Sequence, residues 1–170
     1  MLCGGILSTP SANAVYLGAK SFNARRNADN FEICDLKEAV EYCHIRGVKV
    51  YLTLNILISD GEMKDAVGLA AAAYNIGIDG VIIADLGLAR ILREKLPLLP
   101  LHASTQMTVC HKDSLYFLKE LGFSRVVAAR EMSKAELNEL CATAKELNIE
   151  VEVFVHGALC MCVSGQCYMS

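Results

Sequence analysis

Six short aliphatic runs alternate with stretches of helical periodicity, and this alternation constrains the chain more than any other feature. The runs cover 14–17, 48–55, 80–85, 100–104, 124–130 and 151–156. Between them, Leu36, Ala39, Val40 and Cys43 form one helical stripe, and Leu137, Leu140, Cys141, Ala144 and Leu147 form another. Asp35 with Glu38, and Ser133 with Glu136, have the spacing of capped helix starts. Gly47, Gly77 and Gly122 follow helical stretches directly, where a left-handed cap residue is wanted. The pattern predicts six strands and five helices in strict order, hence a parallel α/β sheet with helices packed outside it. At 170 residues, with 54% hydrophobic and 21% charged, the chain has material for one core and is not disordered.

Two parallel architectures compete, an open doubly wound sheet and a (β/α)8 TIM-type barrel. The first run is followed by Gly18-Ala19-Lys20-Ser21-Phe22, not by a glycine-rich dinucleotide fingerprint. In the second run Val50, Leu52 and Leu54 share one face, while Tyr51, Thr53 and Asn55 share the other. In the sixth, Val151, Val153 and Val155 oppose Glu152, Phe154 and His156. Asp85, Ser104 with Gln106, and Arg130 fall on the same polar face near the strand ends. A barrel gathers such strand-end residues around one rim, where its active sites lie; an open sheet spreads them along an edge. The barrel is therefore expected, incomplete here because eight strands close it and six are seen. Residues 1–12 are read as a truncated or non-native start, and 13–170 as a partial barrel ending in a cysteine-rich loop. A complete six-stranded sheet is the alternative.

That loop holds the soft ligands. Cys160 and Cys167 lie seven apart, with Gly157 before the first and Gly165 between them to let the chain bend. Two thiolates on one loop can serve zinc or an iron–sulfur cluster; alternatively they pack at the barrel mouth. Cys162 is either a third ligand or a packing residue. His156, four residues before Cys160, could pair with it as a nucleophilic dyad, but contact with substrate or support of a bound group fits better. Arg25 and Arg26, in the loop after the first strand, suit a carboxylate or phosphate at the same rim as Arg130. The polar groups that end each strand are expected to meet at one opening beside the thiol pair.

The remaining residues of chemical interest are read as structural. Cys43 and Cys141 are expected in the core, and Cys34 and Cys110 near helix starts. Arg93, Glu94 and Lys95 read as an exposed helix end, and His44 and His111 as helical surface or packing residues; His102 is ambiguous. Met1-Leu2-Cys3-Gly4-Gly5-Ile6-Leu7 lacks the basic start of a signal peptide, and no apolar run is long enough to span a membrane. With eight cysteines and no export signal, a cytoplasmic setting without a disulfide framework is expected. A net charge of -3 does not suggest a broad clamp on nucleic acid.

Glu152-Val153-Phe154-Val155-His156-Gly157-Ala158-Leu159-Cys160 and Ser164-Gly165-Gln166-Cys167-Tyr168-Met169-Ser170 resemble the signature of the peptidase U32 family, the collagenase-like peptidases. Ala14-Val15-Tyr16-Leu17-Gly18, His102-Ala103-Ser104-Thr105-Gln106 and Ala129-Arg130-Glu131 fit as well. The resemblance runs from about Asn13 to Ser170. It implies a TIM-type barrel and a 4Fe-4S cluster held by four cysteines, of which Cys160 and Cys167 match the first two and the others would lie beyond residue 170. Cys162 departs from the family pattern, where a small or aliphatic residue is usual.

Several members of the family hydroxylate RNA bases, a wobble uridine of tRNA or a cytidine of large-subunit rRNA, with prephenate as an implicated metabolite. The expectation is thus an iron–sulfur protein of RNA base hydroxylation, closest to the rRNA cytidine branch. It would bind RNA through regions partly outside this chain. His156, Arg130 and Gln106 are its catalytic candidates. Arg25, Arg26, Asn55, Asp85 and Ser104 are its substrate-side candidates, and the arginines suit a small dicarboxylate such as prephenate. The alternative is a collagenase-like peptidase, against which stands the lack of an HExxH motif or nucleophile elbow. A third reading is a fragment inactive alone, with unpaired strand edges.

Overall fold

A computed structural model describes residues 12–24, 30–157 and 160–165. The elements follow in alternation: β1 (Ala14–Gly18), α1 (Ile33–His44), β2 (Lys49–Leu54), α2 (Met63–Ile76), β3 (Gly80–Ile83), α3 (Leu86–Lys95), β4 (Leu101–Ala103), a 3-10 turn (Thr105–Met107), α4 (Ser114–Glu120), β5 (Phe123–Val127), α5 (Lys134–Glu146) and β6 (Glu150–Glu152). All neighbouring strands pair in parallel, in the order β1-β2-β3-β4-β5-β6. A doubly wound sheet reverses its order at a switch point; this one never does. Right-handed crossovers then put every helix on the same side, leaving the other side as the concave interior of a barrel. The fold is a six-stranded part of a TIM-type barrel.

The two faces separate as the alternation in β2 predicts. Val50, Leu52 and Leu54 are fully buried in one cluster with Leu36, Val40 and Cys43 of α1 and Leu88 and Leu92 of α3. The concave face carries Tyr16, Tyr51, His102, Arg125 and Glu152, joined by hydrogen bonds and ring contacts. Tyr16 of β1 reaches Glu152 of β6, so the sheet curls far enough for its first and last strands to touch across the interior. Gly47, Gly77 and Gly122 all have positive φ, at 70°, 103° and 82°, as the cap reading requires. Ser133 and Glu136 form a reciprocal capping box at the start of α5.

Several expectations are corrected. β6 stops at Glu152, and residues 153–156, His156 among them, are exposed beyond it. The reason is pairing: β5 ends at Val127, opposite Glu152, so the alternating pattern beyond has no ladder to join. Cys141 is exposed; α5 turns Leu140, Thr143 and Ala144 inward, and Cys141 falls about 100° past Leu140 on the solvent border. Asp35 is not a cap: α1 is preceded by Glu32, which makes no side-chain cap bond, and Asp35 lies in the first turn, where its charge opposes the positive end of the helix dipole. Arg93 is not a solvated end residue. Its guanidinium donates to the carbonyls of Pro97, Leu99 and Gly122, and burial lowers its pKa. Glu94 and Lys95 are exposed as expected. His44 ends α1 and pairs with Asp79 at 2.9 Å, whereas His111 lies in the turn before α4 and not on a helix.

Candidate functional site

The strand C-termini converge on one polar rim, and the cysteine loop is tied to it. Asn55, just past β2, accepts at Oδ1 from the backbone N–H of Ala24 (3.1 Å) and donates from Nδ2 to Ser104 Oγ (3.3 Å). The ends of β2 and β4 and the loop after β1 are thereby linked. Ser104 is buried and caps the 3-10 turn, its Oγ accepting from the backbone N–H of Gln106 at 3.2 Å. Asp85 sits at the end of β3 and uses both carboxylate oxygens locally. Oδ1 accepts from Leu88 N (2.8 Å) as the cap of α3, and Oδ2 accepts from Ile58 N (3.2 Å), holding the loop after β2.

Ser164 is the anchor of the cysteine loop, at 1% exposure. Its Oγ meets the backbone N–H and Nε of Arg130, each at 3.3 Å, and Thr105 Oγ1, also at 3.3 Å. The Ser164 carbonyl accepts from Thr108 Oγ1 at 2.7 Å, and its N–H donates to Glu131 Oε1 at 2.8 Å. That N–H, with the Ser164 hydroxyl and the Arg130 charge, holds the Glu131 carboxyl below the usual carboxylate range. Gly165 follows with φ 75°, and a Cβ there would run into Thr108 Oγ1 and the Gln106 carbonyl. From this anchor Arg130 reaches along the loop: Nη1 donates to the Cys160 carbonyl (3.3 Å) and Nη2 to the Cys162 carbonyl (2.7 Å). Cys160 is exposed, Cys162 half-buried, and Met161 between them wholly exposed.

The structure thus brings Asn55, Ser104, Gln106, Arg130 and Cys160 into one bonded constellation at the mouth. Asp85 serves the same rim from beneath its loops. His156 lies exposed between β6 and the loop. Arg25, Arg26 and Cys167 lie outside the described residues. Ser164, Glu131, Thr105 and Thr108 were not foreseen. They lie in turns, where no periodicity marks them; Thr105, Glu131 and Ser164 fall within the segments that resemble the family signature, which gave them no role.

The opposite end of the strands holds a polar cavity of about 260 Å³, lined by strand-start residues including Lys49, Tyr51, His102, Arg125 and Glu150. His102 is 4% exposed, sits edge-on to Tyr51 with ring centroids 4.6 Å apart, and its buried Nδ1 has no partner among the described residues. Burial, and then the charge of Arg125, lower its pKa to about 4, so it is neutral at physiological pH. Arg125 lies over Tyr51 and grips Glu150 through Nε at 2.8 Å. Burial alone would lower the Arg125 pKa; its bonds to Glu150 and Tyr51 outweigh that and raise it. This end of the strands lies opposite the one that carries the polar rim and the cysteine loop.

Among the described residues no group of three His, Cys, Asp or Glu side chains stands close enough to hold a metal ion, and no helix is long and apolar enough to cross a membrane. Residues 6–170 match the model of peptidase family U32. The chain is 39% identical over 159 residues to the 23S rRNA 5-hydroxycytidine C2501 synthase of Escherichia coli, covering 94% of this chain and 23% of that protein. It is 36% identical over 159 residues to tRNA hydroxylation protein P1 of Bacillus subtilis, covering 94% of this chain and 37% of the relative. The chain therefore spans well under half the length of these relatives. Among solved structures, the U32 peptidase Mk0906 superposes with a TM-score of 0.66 at 15% identity, over 86% of this chain and 61% of that one, a likeness of fold.

Proposed function

Because the chain belongs to peptidase family U32, we propose that it forms the cysteine-loop part of an iron–sulfur protein that hydroxylates a base in RNA, an rRNA cytidine or a tRNA uridine. The observation that carries this reading is the constellation at the mouth: an exposed Cys160 thiol on a loop whose backbone is fixed by Arg130 and Ser164, beside the polar strand ends. The names of two relatives, an rRNA 5-hydroxycytidine synthase and a tRNA hydroxylation protein, support RNA as the substrate class.

Cys160 and Cys167 have the donor chemistry of 4Fe-4S ligands. Cys160 offers a soft thiolate in the open, and a fixed loop lowers the entropy lost when a group binds. Cys160 and Cys167 would hold the cluster, with two further cysteines from beyond residue 170. Such a cluster supplies one-electron chemistry when bound. Around it, this chain's own groups position the substrate. Asn55 presents a rigid polar edge because its side chain is bonded to the buried Ser104, which supports it from beneath. Gln106, half-buried on the 3-10 turn, and His156, exposed between β6 and the loop, are the candidate hydrogen-bonding groups of the reaction. Asp85 shapes the rim by fixing the loop before α2 and capping the start of α3. Three of the five N–H groups of Arg130 are taken by Ser164, Cys160 and Cys162. The others, with Arg25 and Arg26, suit a dicarboxylate such as prephenate. A net charge of -3 leaves most phosphate contacts to other parts of such a protein.

The test is anaerobic purification of the protein at its native length, with iron and sulfide analysis, optical spectroscopy and mass spectrometry of RNA from cells carrying wild type or Cys160→Ala. A brown protein whose Cys160→Ala variant loses both colour and the hydroxylated nucleoside is expected. A colourless protein that cleaves peptides would overturn the reading in favour of a collagenase-like peptidase.

A further inference from the structure

We infer that Arg130 is the positioning residue of the cysteine loop: locked at its own end by Ser164, its guanidinium grips the Cys160 and Cys162 carbonyls and so fixes where the Cys160 thiol stands. The inference rests on the reading of Cys160 as a cluster ligand and adds a role for Arg130 that is separate from contact with substrate.

The geometry is that of a staple with a fixed base. Arg130 follows β5 directly, after the buried Ala128 and Ala129, so its backbone is part of the barrel wall. Its main-chain N–H and its Nε both point at Ser164 Oγ, which orients the plane of the guanidinium. The two terminal nitrogens then meet two carbonyls spaced two residues apart, Cys160 and Cys162. A planar fork can satisfy three acceptors in fixed directions; an ammonium of equal charge is a point donor and cannot. Ser164 is itself held by Glu131 and Thr108, so the base does not depend on Arg130 alone.

Between Cys160 and Ser164, Met161 is 98% and Val163 52% accessible. Cys162 between them is half-buried, whereas the exposed Met161 and Val163 side chains contribute no such order, and the fork adds to what holds the segment. The same placement brings a full positive charge to the ligand loop. Positive charge near an iron–sulfur centre favours its more negative, reduced form and raises the reduction potential. Arg130 therefore has two separable effects, one of shape and one of charge.

The experiment compares wild type with Arg130→Lys, Arg130→Ala and Ser164→Ala, each at native length. It reads cluster release under a chelator in anaerobic buffer, the electron paramagnetic resonance signal of the reduced state, and the reduction potential. Residues that support a metal ligand without binding the metal typically change its affinity by about 10- to 100-fold. We expect Arg130→Ala to release the cluster about 10-fold faster and to shift the potential negative. Arg130→Lys should release it nearly as fast while keeping the wild-type potential. Ser164→Ala should speed release by less, because Glu131 and Thr108 still hold the backbone.

Equal release rates and unchanged spectra in all three variants, with the wild type loaded, overturn the inference. If the wild type carries no cluster, the functional reading fails by itself. The staple is then judged by amide hydrogen exchange over 160–165: faster exchange in Arg130→Ala sustains it, and unchanged exchange ends it. Arg130 is exposed, so its replacements are not expected to unfold the barrel, and an unchanged melting curve verifies this.

Discussion

Tyr16 on the first strand donates its phenolic proton to Glu152 on the sixth at 2.9 Å, although no backbone pairing joins the two strands. Four strands stand between them in the sheet, so the bond measures curvature directly. It also ties the opposite edges through side chains, and Glu152 shares the Arg125 guanidinium, 3.6 Å away, with Glu150.

The Tyr16 phenol should therefore ionise late. Burial, then the charge of Glu152 and the bond to it, push its pKa up to about 12. A near-ultraviolet absorbance titration is expected to show this step, Tyr16→Phe to abolish it, and Glu152→Gln to move it to lower pH. A Tyr16 step unmoved by Glu152→Gln would mean that the edges do not meet in solution.

His102 should impose an acid limb on stability. Its folded pKa of about 4 lies below the usual 6.5, so the unfolded chain binds more protons between these values. Stability is then complete above about pH 6.5 and declines as pH falls toward 4, by on the order of 3 kcal/mol in all. Glu131 and Glu150, both with lowered carboxyl pKa values, add losses of the same sign at still lower pH. Urea melts at stepped pH are expected to show a shallower fall between pH 6.5 and 4 for His102→Phe. An identical slope in the variant would contradict the burial of a neutral imidazole.

Asp85 distinguishes structure from substrate contact. Its two oxygens cap α3 and hold Ile58 N, so Asp85→Ala should cost about 2 kcal/mol in a denaturant melt. Asp85→Asn, which keeps one acceptor, should cost roughly half as much. Full stability of Asp85→Ala together with loss of the RNA product would instead mark a direct binding role.

Gly165→Ala tests how tightly the loop seats on the mouth. The substitution meets a left-handed backbone, φ 75°, and the Gln106 carbonyl. It is expected to cost about 1–2 kcal/mol locally. In amide exchange the 160–165 segment should open faster while the strands stay protected; an unchanged segment would show that the packing is loose.

The barrel was legible because its signals repeat. Val50, Leu52 and Leu54 alternate against Tyr51 and Thr53, and the helical stripe of Leu36, Ala39, Val40 and Cys43 buries every member. The failures lie where a pattern needs a partner that sequence does not display. Residues 153–156 alternate properly but face no strand. Cys141 sits one step past the inward arc of α5, and Arg93 finds carbonyls brought to it by the turn after α3. At the site, the strand-end residues Asn55, Ser104 and Arg130 were readable from their place in the runs. Their bonding was not, because Ser164, Glu131 and Thr108 meet by loop geometry alone.

The distance in chain from Cys160 to its anchor at Ser164 is a ruler with no slack. One residue deleted or inserted between them would leave either the sulfur misplaced or the serine outside its socket. The identities of Met161 and Val163, which touch solvent, are free to drift, while their number is not. Natural variants of this segment should accordingly change letters there far more readily than they change length.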